Sequence, residues 1–256
     1  HGEHRVQQTG QPMLSVKNIK KSYAGVAALR GVDIDLDVGL TAIVGDNGAG
    51  KSTLMKILSG VVRPDDGEIV IDGSPVTLDS PTRARSLGIE SLYQDLALAD
   101  TLDVASNVFL GRELVKRWLL IHTLDDKAMR RAAAETLKAV GIGIPDVKLP
   151  VRQLSGGQRQ AVALARAMYF SAQVILLDEP TAALGPKETA AFTRVVREFV
   201  ERRTTVCMVT HNLPQVMELA DRIVVMRAGR VVATMNVSDV TEEQLLGLMV
   251  GSAAAV

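Results

Sequence analysis

Three short segments hold residue types at spacings that suit a polyphosphate and a divalent cation. The first, Gly45-Asp46-Asn47-Gly48-Ala49-Gly50-Lys51-Ser52-Thr53, fits the spacing G-x-x-x-x-G-K-S/T. An apolar run, residues 40–44, precedes it, and a helix over Lys51–Leu58 is expected after it. Glycines let such a loop wrap phosphates without side-chain clash, so that successive backbone N–H groups point at oxygens. The helix N-terminus adds partial positive charge at the same place. Lys51 would neutralise the β- and γ-phosphates, and the Ser52 hydroxyl would ligate Mg²⁺. An ordinary glycine-rich turn is the competing reading, and the strand–loop–helix setting weighs against it.

The second segment is Val174-Ile175-Leu176-Leu177-Asp178-Glu179-Pro180. An apolar strand ending in two carboxylates delivers them to the carboxyl edge of a sheet, where α/β folds bind ligands. Asp178 would orient Mg²⁺ through its water shell, and Glu179 could polarise the water that attacks a γ-phosphate. Taken alone, an apolar strand ending in acids usually marks the start of a solvated loop; the upstream phosphate loop favours the chemical reading. The third segment is Leu154-Ser155-Gly156-Gly157-Gln158, at the start of an Ala-rich helix. A serine and two glycines there make a second anion-receiving nest of N–H groups and hydroxyl, or simply an N-cap.

Other elements must position these segments. Val32, Ile34, Leu36 and Val38 alternate with Gly31 and three aspartates, the period of a half-buried antiparallel strand. Leu14, Val16 and Ile19 suggest an earlier strand, and Asp66-Gly67 and Asp72-Gly73 bracket a short one at residues 68–71. Apolar runs at 40–44, 174–177, 205–210 and 222–226 read as strands buried on both faces and alternate with helices, which gives a parallel α/β sheet. Asp125 or Asp126 can cap a helix with Met129, Ala133, Leu137 and Val140 on one stripe, stopped by Gly141. Residues 187–201 form another, with Phe192, Val195, Val196 and Phe199 inward, and Pro214 suits the first turn of a third. Residues 87–172 read as mostly helical with no buried strand. The expected class is thus α/β, a P-loop core with a mainly parallel sheet, an N-terminal antiparallel β subdomain and an inserted helical subdomain. Residues 1–11 are expected to be a tag or loose terminus, 12–250 the nucleotide-binding domain, and 251–256 a tail.

Composition narrows the partners. The 256 residues carry 29 basic and 29 acidic side chains, so no net charge draws in nucleic acid, and at 3% the aromatics are too few for a base-stacking surface. Cys207 is the single cysteine, in an apolar run, and reads as packing. No apolar run reaches the ~20 residues that span a bilayer, so any membrane role must come through a partner.

Together the three motifs resemble the ATP-binding subunit of ABC transporters, across about residues 14–232, with Leu154–Gln158 as that family's signature. The resemblance implies ATP and Mg²⁺ as ligands. It also implies a head-to-tail homodimer in which the signature of one copy, Ser155, Gly156, Gly157 and Gln158, closes on the γ-phosphate held by the other copy's Gly45–Thr53 loop. By the same resemblance Tyr23 stacks on adenine, Gln94 touches Mg²⁺ and the attacking water and senses the membrane partner, and His211 contacts the γ-phosphate. One departure stands out: the family commonly reads Ser-Ala-Leu-Asp after the Asp-Glu-Pro-Thr run, whereas this chain has Ala182-Ala183-Leu184-Gly185. Gly185 thus replaces an acidic residue that helps couple the two sites. Residues 93–100, 107–113 and 211–214 are similar to ATPases of bacterial monosaccharide importers of the ribose, xylose and fructose kind. That branch implies ATP hydrolysis at the cytoplasmic face of the cell membrane, membrane permease subunits as partners, and a periplasmic sugar-binding protein reached through them. The rival expectations are a soluble ABC-type ATPase acting on ribosomes or DNA, which would bring two cassettes, a coiled coil or a basic linker, and a non-hydrolysing regulatory module.

Overall fold

The computed structural model describes residues 12–92, 98–118, 121–141, 143–182 and 184–251. The chain opens with antiparallel strands β1 (Leu14–Tyr23) and β2 (Val26–Leu36), followed by β3 (Gly39–Val44) and α1 (Lys51–Leu58). Next come β4 (Asp66–Ile71), β5 (Ser74–Val76), α2 (Pro81–Ser86), β6 (Ile89–Leu92) and α3 (Val104–Phe109). A hairpin, β7 (Val115–Trp118) and β8 (Ile121–Leu124), leads to α4 (Asp126–Val140) and α5 (Gly156–Tyr169). The second half runs β9 (Val174–Asp178), α6 (Pro186–Glu201), β10 (Thr205–Val209), α7 (Leu213–Leu219), β11 (Arg222–Arg227), β12 (Arg230–Asn236) and α8 (Glu242–Val250).

The main sheet has the order β12-β11-β3-β10-β9-β6. All its pairings are parallel except β11 with the edge strand β12. Strand periodicity splits its side chains between two cores. Leu40, Ala42, Val44, Ile175, Leu177, Val206, Met208, Ile223 and Val225 enter the core built with α3 to α8. Ile43, Val174, Leu176, Cys207, Val209, Val224 and Met226 enter the other, under α1 and the β2-β1-β4-β5 sheet. Burial on both faces is why these strands are continuous apolar runs. It also pushes the Cys207 thiol up to about 12, which leaves it an inert packing group.

The smaller sheet alternates as expected over Val32, Ile34 and Leu36, while Val38 lies beyond the strand and is 47% exposed. Asp66-Gly67 is the start of β4 rather than a turn before it. Asp72-Gly73, with φ of 46° and 72°, is the true hairpin turn into β5.

Residues 87–172 differ from the expectation of a mostly helical stretch with no buried strand. Ile89–Leu92 is the edge strand of the main sheet, in parallel register with Val174–Leu177 of β9, and the β7–β8 hairpin interrupts the helices. The segment that departs from the sheet therefore begins after Leu92, not at Leu87. Its helices pack through α5, where small residues such as Ala161, Ala163, Ala165 and Ala167 allow close approach of α3 and α4. Asp125 caps α4 by accepting from the Ala128 N–H, and Gly141 ends it in the left-handed conformation.

Phe109 is fully buried against Tyr169 and Phe170, with ring centroids 4.7 and 6.0 Å away, both edge-on. Phe109→Ala should cost about 3–5 kcal/mol in a denaturant unfolding titration. Beside this cluster Arg112 lies over the Phe170 ring, 4.6 Å from its centroid, and places Nη1 3.0 Å from the Glu90 carboxylate on β6. Glu90 is 5% exposed, and burial pushes its carboxyl up while Arg112, Arg166 and Arg85 pull it back.

Candidate nucleotide site

The phosphate-loop segment joins the end of β3 to the start of α1. Its shape is enforced by exclusion. Gly45 has φ 150°, and a Cβ there would run into the Met226 carbonyl of β11. Gly50 has φ 102°, and a Cβ there would lie 2.7 Å from Leu29 Cδ2 and 2.8 Å from the Ala28 carbonyl. Gly48 also has positive φ, at 81°, but nothing crowds it. The loop is braced from outside by the Gly229 N–H, which donates to the Ala49 carbonyl at 3.1 Å, and from within by Ala49 N–H to Asp46 O, also 3.1 Å. Gly50→Ala combines a left-handed backbone with overpacking and should lose about 1–3 kcal/mol of stability, read as a lowered thermal midpoint.

Lys51 is nearly buried at 9% exposure, and its Nζ donates to the Gly45 and Asp46 carbonyls at 2.6 and 2.9 Å. Burial lowers its ammonium pKa, and Glu179, Asp46 and Asp178 oppose that fall, in that order. Ser52 is exposed at the first turn of α1, with Thr53 partly so, and Asn47 is exposed in the loop.

Asp178 ends β9 in register with Val209 of β10. Burial and then the neighbouring Glu179 raise its carboxyl, while Lys51 and Lys56 lower it. Glu179 has φ 49°, a left-handed conformation uncommon for a residue with a side chain, and its N–H donates to the Val209 carbonyl at 2.8 Å. Its Oε2 lies 2.8 Å from His211 Nδ1, and the His211 side chain is 74% exposed. Lys51, Asp178, Glu179 and His211 thus come from three strand ends to one edge of the sheet. That edge is where parallel α/β sheets bind ligands.

Ser155 caps α5 in a capping box: its hydroxyl accepts from the Gln158 N–H at 3.3 Å, and Gln158 Oε1 accepts from the Ser155 N–H at 3.0 Å. The hydroxyl proton remains free to donate outward, so the cap reading and the anion reading coexist. Gln158 Nε2 donates to the Gly143 carbonyl at 2.9 Å, so the hydrogen bonds of Ser155 and Gln158 stay away from the Gly45–Thr53 loop. Gly156 opens the helix, and a Cβ at Gly157 would stand 2.5 Å from Glu188 Cγ. Gly185 caps α6, and a Cβ there would lie 2.8 Å from Glu188 Oε2. An acidic side chain at position 185 would therefore meet the Glu188 carboxylate.

Tyr23 ends β1, is 45% exposed, and has Lys21 Nζ 5.6 Å from its ring centroid. Gln94 lies outside the described residues. Three residues that spacing did not single out border the site: Gln160, Thr181 and Gln215. The available signal was polarity on an inward face, since Gln160 stands among the buried alanines of α5 and Gln215 among Leu213, Val216 and Leu219.

Among the described residues no cluster of three or more His, Cys, Asp or Glu forms a metal cage. An exposed Ser52 hydroxyl and the Asp178 carboxylate instead suit Mg²⁺, which takes one or two side chains together with phosphate oxygens and water.

Comparison with known proteins settles the family. A family model described as ABC transporter matches residues 29–182. This chain belongs to the ABC transporter family. Among its relatives is the fructose import ATP-binding protein FrcA of Rhizobium meliloti, 42% identical over 94% of this chain and 95% of the relative. The xylose/arabinose import ATP-binding protein XylG of Sulfolobus acidocaldarius is 44% identical, covering 90% of this chain and 92% of that one. The ribose import ATP-binding protein RbsA 1 of Rubrobacter xylanophilus is 42% identical, but this ABC cassette spans only 47% of its length. The cassette is also similar to a solved dimeric ATP-binding cassette in a post-hydrolysis state bound to ADP and Pi, with TM-score 0.75, 28% identity and coverage of 88% of this chain and 99% of that one.

Proposed function

We propose that this cassette binds MgATP between two copies of itself and hydrolyses it to drive a membrane importer whose cargo is a monosaccharide. The observation that carries the reading is the gathering of Lys51, Asp178, Glu179 and His211 at one sheet edge, beside a loop that excludes side chains. The near full-length likeness to fructose and xylose/arabinose import ATP-binding proteins supports the cargo class.

In this mechanism the Gly45–Thr53 N–H groups and the α1 N-terminus receive the phosphates, and Lys51 exchanges its carbonyl partners for the β- and γ-phosphate oxygens. Bound Mg²⁺, held by Ser52, Asp178 and Gln94, supplies charge neutralisation at the transferring phosphoryl group. Glu179 orients and polarises the attacking water, and His211, at hydrogen-bond distance from Glu179, holds that carboxylate and reaches the γ-phosphate. The other copy's Ser155, Gly156, Gly157 and Gln158 close the far side, and Tyr23 receives the adenine. Residues 12–250 act as one ATP-binding domain, with the helical segment after Leu92 as the inserted part that meets the permease.

Among the described residues no helix is long and apolar enough to cross a membrane. The likeness to import ATP-binding proteins supports a place on the cytoplasmic face, held there by the permease. The sugar-binding protein is reached only through that permease. A strain lacking the gene should lose uptake of labelled fructose, xylose or ribose and regain it with wild type but not with Lys51→Ala; undiminished uptake of every one of these sugars would refute the cargo assignment. In sedimentation, MgATP should convert Glu179→Gln protein from monomer to dimer, whereas a monomer at high protein and nucleotide concentration would refute the sandwich.

A further inference from the structure

Glu179 cannot hold its own position. At φ 49° its backbone sits where a side chain is disfavoured, so neighbours must over-determine it. On the upstream side the Glu179 N–H is tied to Val209 by backbone pairing. On the downstream side the Ala182 N–H donates to the Glu179 carbonyl at 3.3 Å and the Leu184 N–H to the Thr181 carbonyl at 3.1 Å, bonds within the turn itself. The ties to neighbouring elements are side chains. The Pro180 carbonyl accepts from Gln160 Nε2, and the Thr181 hydroxyl donates to Gln215 Oε1 at 3.0 Å. Both glutamines are buried, at 8% and 5% exposure.

The two amides come from elements that carry the rest of the site. Gln160 lies in α5, one turn beyond the Ser155 cap. Gln215 lies in α7, directly after His211, and its own N–H donates to the Asn212 side chain at 3.2 Å. Asn212 is in turn tied back across His211, its N–H donating to Thr210 Oγ1 at 3.1 Å. The turn after Glu179 is therefore gripped between the helix that Ser155 caps and the segment that presents His211.

Packing alone does not account for these amides. Gln160 Oε1 and Gln215 Nε2 are each buried without a hydrogen-bond partner among the described residues. A methionine or leucine of similar length would fill the space without the unpaired amide atom, at the cost of the bond to Pro180 or Thr181. The polar group serves the turn: it satisfies one buried carbonyl and directs one hydroxyl, and both act within two residues of Glu179.

We infer that Gln160 and Gln215 are positioning residues for hydrolysis, which act through Pro180 and Thr181 to set the Glu179 carboxylate, and that Thr181 is the grip for Gln215. The inference rests on the ATP hydrolysis proposed above. It yields a split that a merely structural role would not produce. Losing the grip lets Glu179 drift, while the phosphate loop that binds ATP is untouched.

The test is steady-state MgATP hydrolysis by the purified chain carrying Thr181→Val, Gln215→Leu, Gln160→Met, Thr181→Ser, or Thr181→Val with Gln215→Leu. A misplacement of about 1 Å at a reacting group costs up to roughly 10²-fold, so kcat should fall roughly 10- to 100-fold in the Val, Leu and Met variants. The KM for ATP should stay within about twofold, because substrate binding is unchanged. Thr181→Ser keeps the hydroxyl and should restore kcat to within about threefold of wild type. The double variant should be no slower than either single, since both remove one bond. Wild-type kcat in Thr181→Val and Gln215→Leu overturns the inference, and so does a Ser variant as slow as the Val variant. A wild type that hydrolyses no ATP, alone or with its permease, overturns the functional reading and this inference together.

Discussion

Lys51→Ala is expected to lower ATP affinity on the order of 10²-fold or more, measured by titration calorimetry or a fluorescent nucleotide. The ammonium is nearly buried, so it meets phosphate oxygens in a medium where charge is weakly screened. Its Nζ is already aimed by the Gly45 and Asp46 carbonyls, so little side-chain freedom remains to be lost on binding. Folding should survive: burying the ammonium is itself unfavourable, and its loss removes that cost along with two hydrogen bonds. The thermal midpoint should therefore shift by no more than a few degrees. The substitution also removes the cation that holds the Asp178 carboxyl down, so residual metal binding should weaken as pH falls. ATP affinity equal to wild type would remove Lys51 from the site.

Glu179→Gln should produce the opposite split. The amide keeps the size of the carboxylate and can still accept from His211, but it has no charge with which to polarise water. Turnover should fall roughly 10²–10⁴-fold with ATP affinity nearly unchanged. Single-turnover quench kinetics separate this from slow product release. Hydrolysis near the wild-type rate would assign the base elsewhere. Thr181→Val, by contrast, should slow the reaction less than Glu179→Gln, because it displaces the carboxylate without removing it.

The parts of this molecule that could be read from residues alone are those with one dominant cause. Strands β3, β9, β10 and β11 are apolar runs because both faces are buried, and that cause leaves no other trace in a sequence. The phosphate loop is legible because its glycines are demanded by space: Gly45 and Gly50 abut the Met226 and Ala28 carbonyls. Strand β6 was missed for the converse reason. Its Glu90 breaks the apolar run, and the charge is tolerated because Arg112, arriving from beyond α3, meets it, with Arg166 and Arg85 nearby. The β7–β8 hairpin lacks turn residues that would announce it. Gln160, Thr181 and Gln215 escaped because an amide bonded to a carbonyl or hydroxyl brought close by folding obeys no spacing rule. Glu188, packed over Gly157 and against Gly185, shows the same limit: what surrounds a glycine is a tertiary fact.

The Glu90–Arg112 pair has a mechanical meaning. One partner stands on the edge strand of the sheet, and the other leads from α3 into the β7–β8 hairpin. The pair contributes little net stability, yet parting it would strand the buried Glu90 carboxylate, whereas Arg112, 28% exposed at its side chain, could still reach water. A rotation of the helical half against the sheet must either carry both ends together or stop before the contact opens. The pair should therefore resist a large pivot more than a small one.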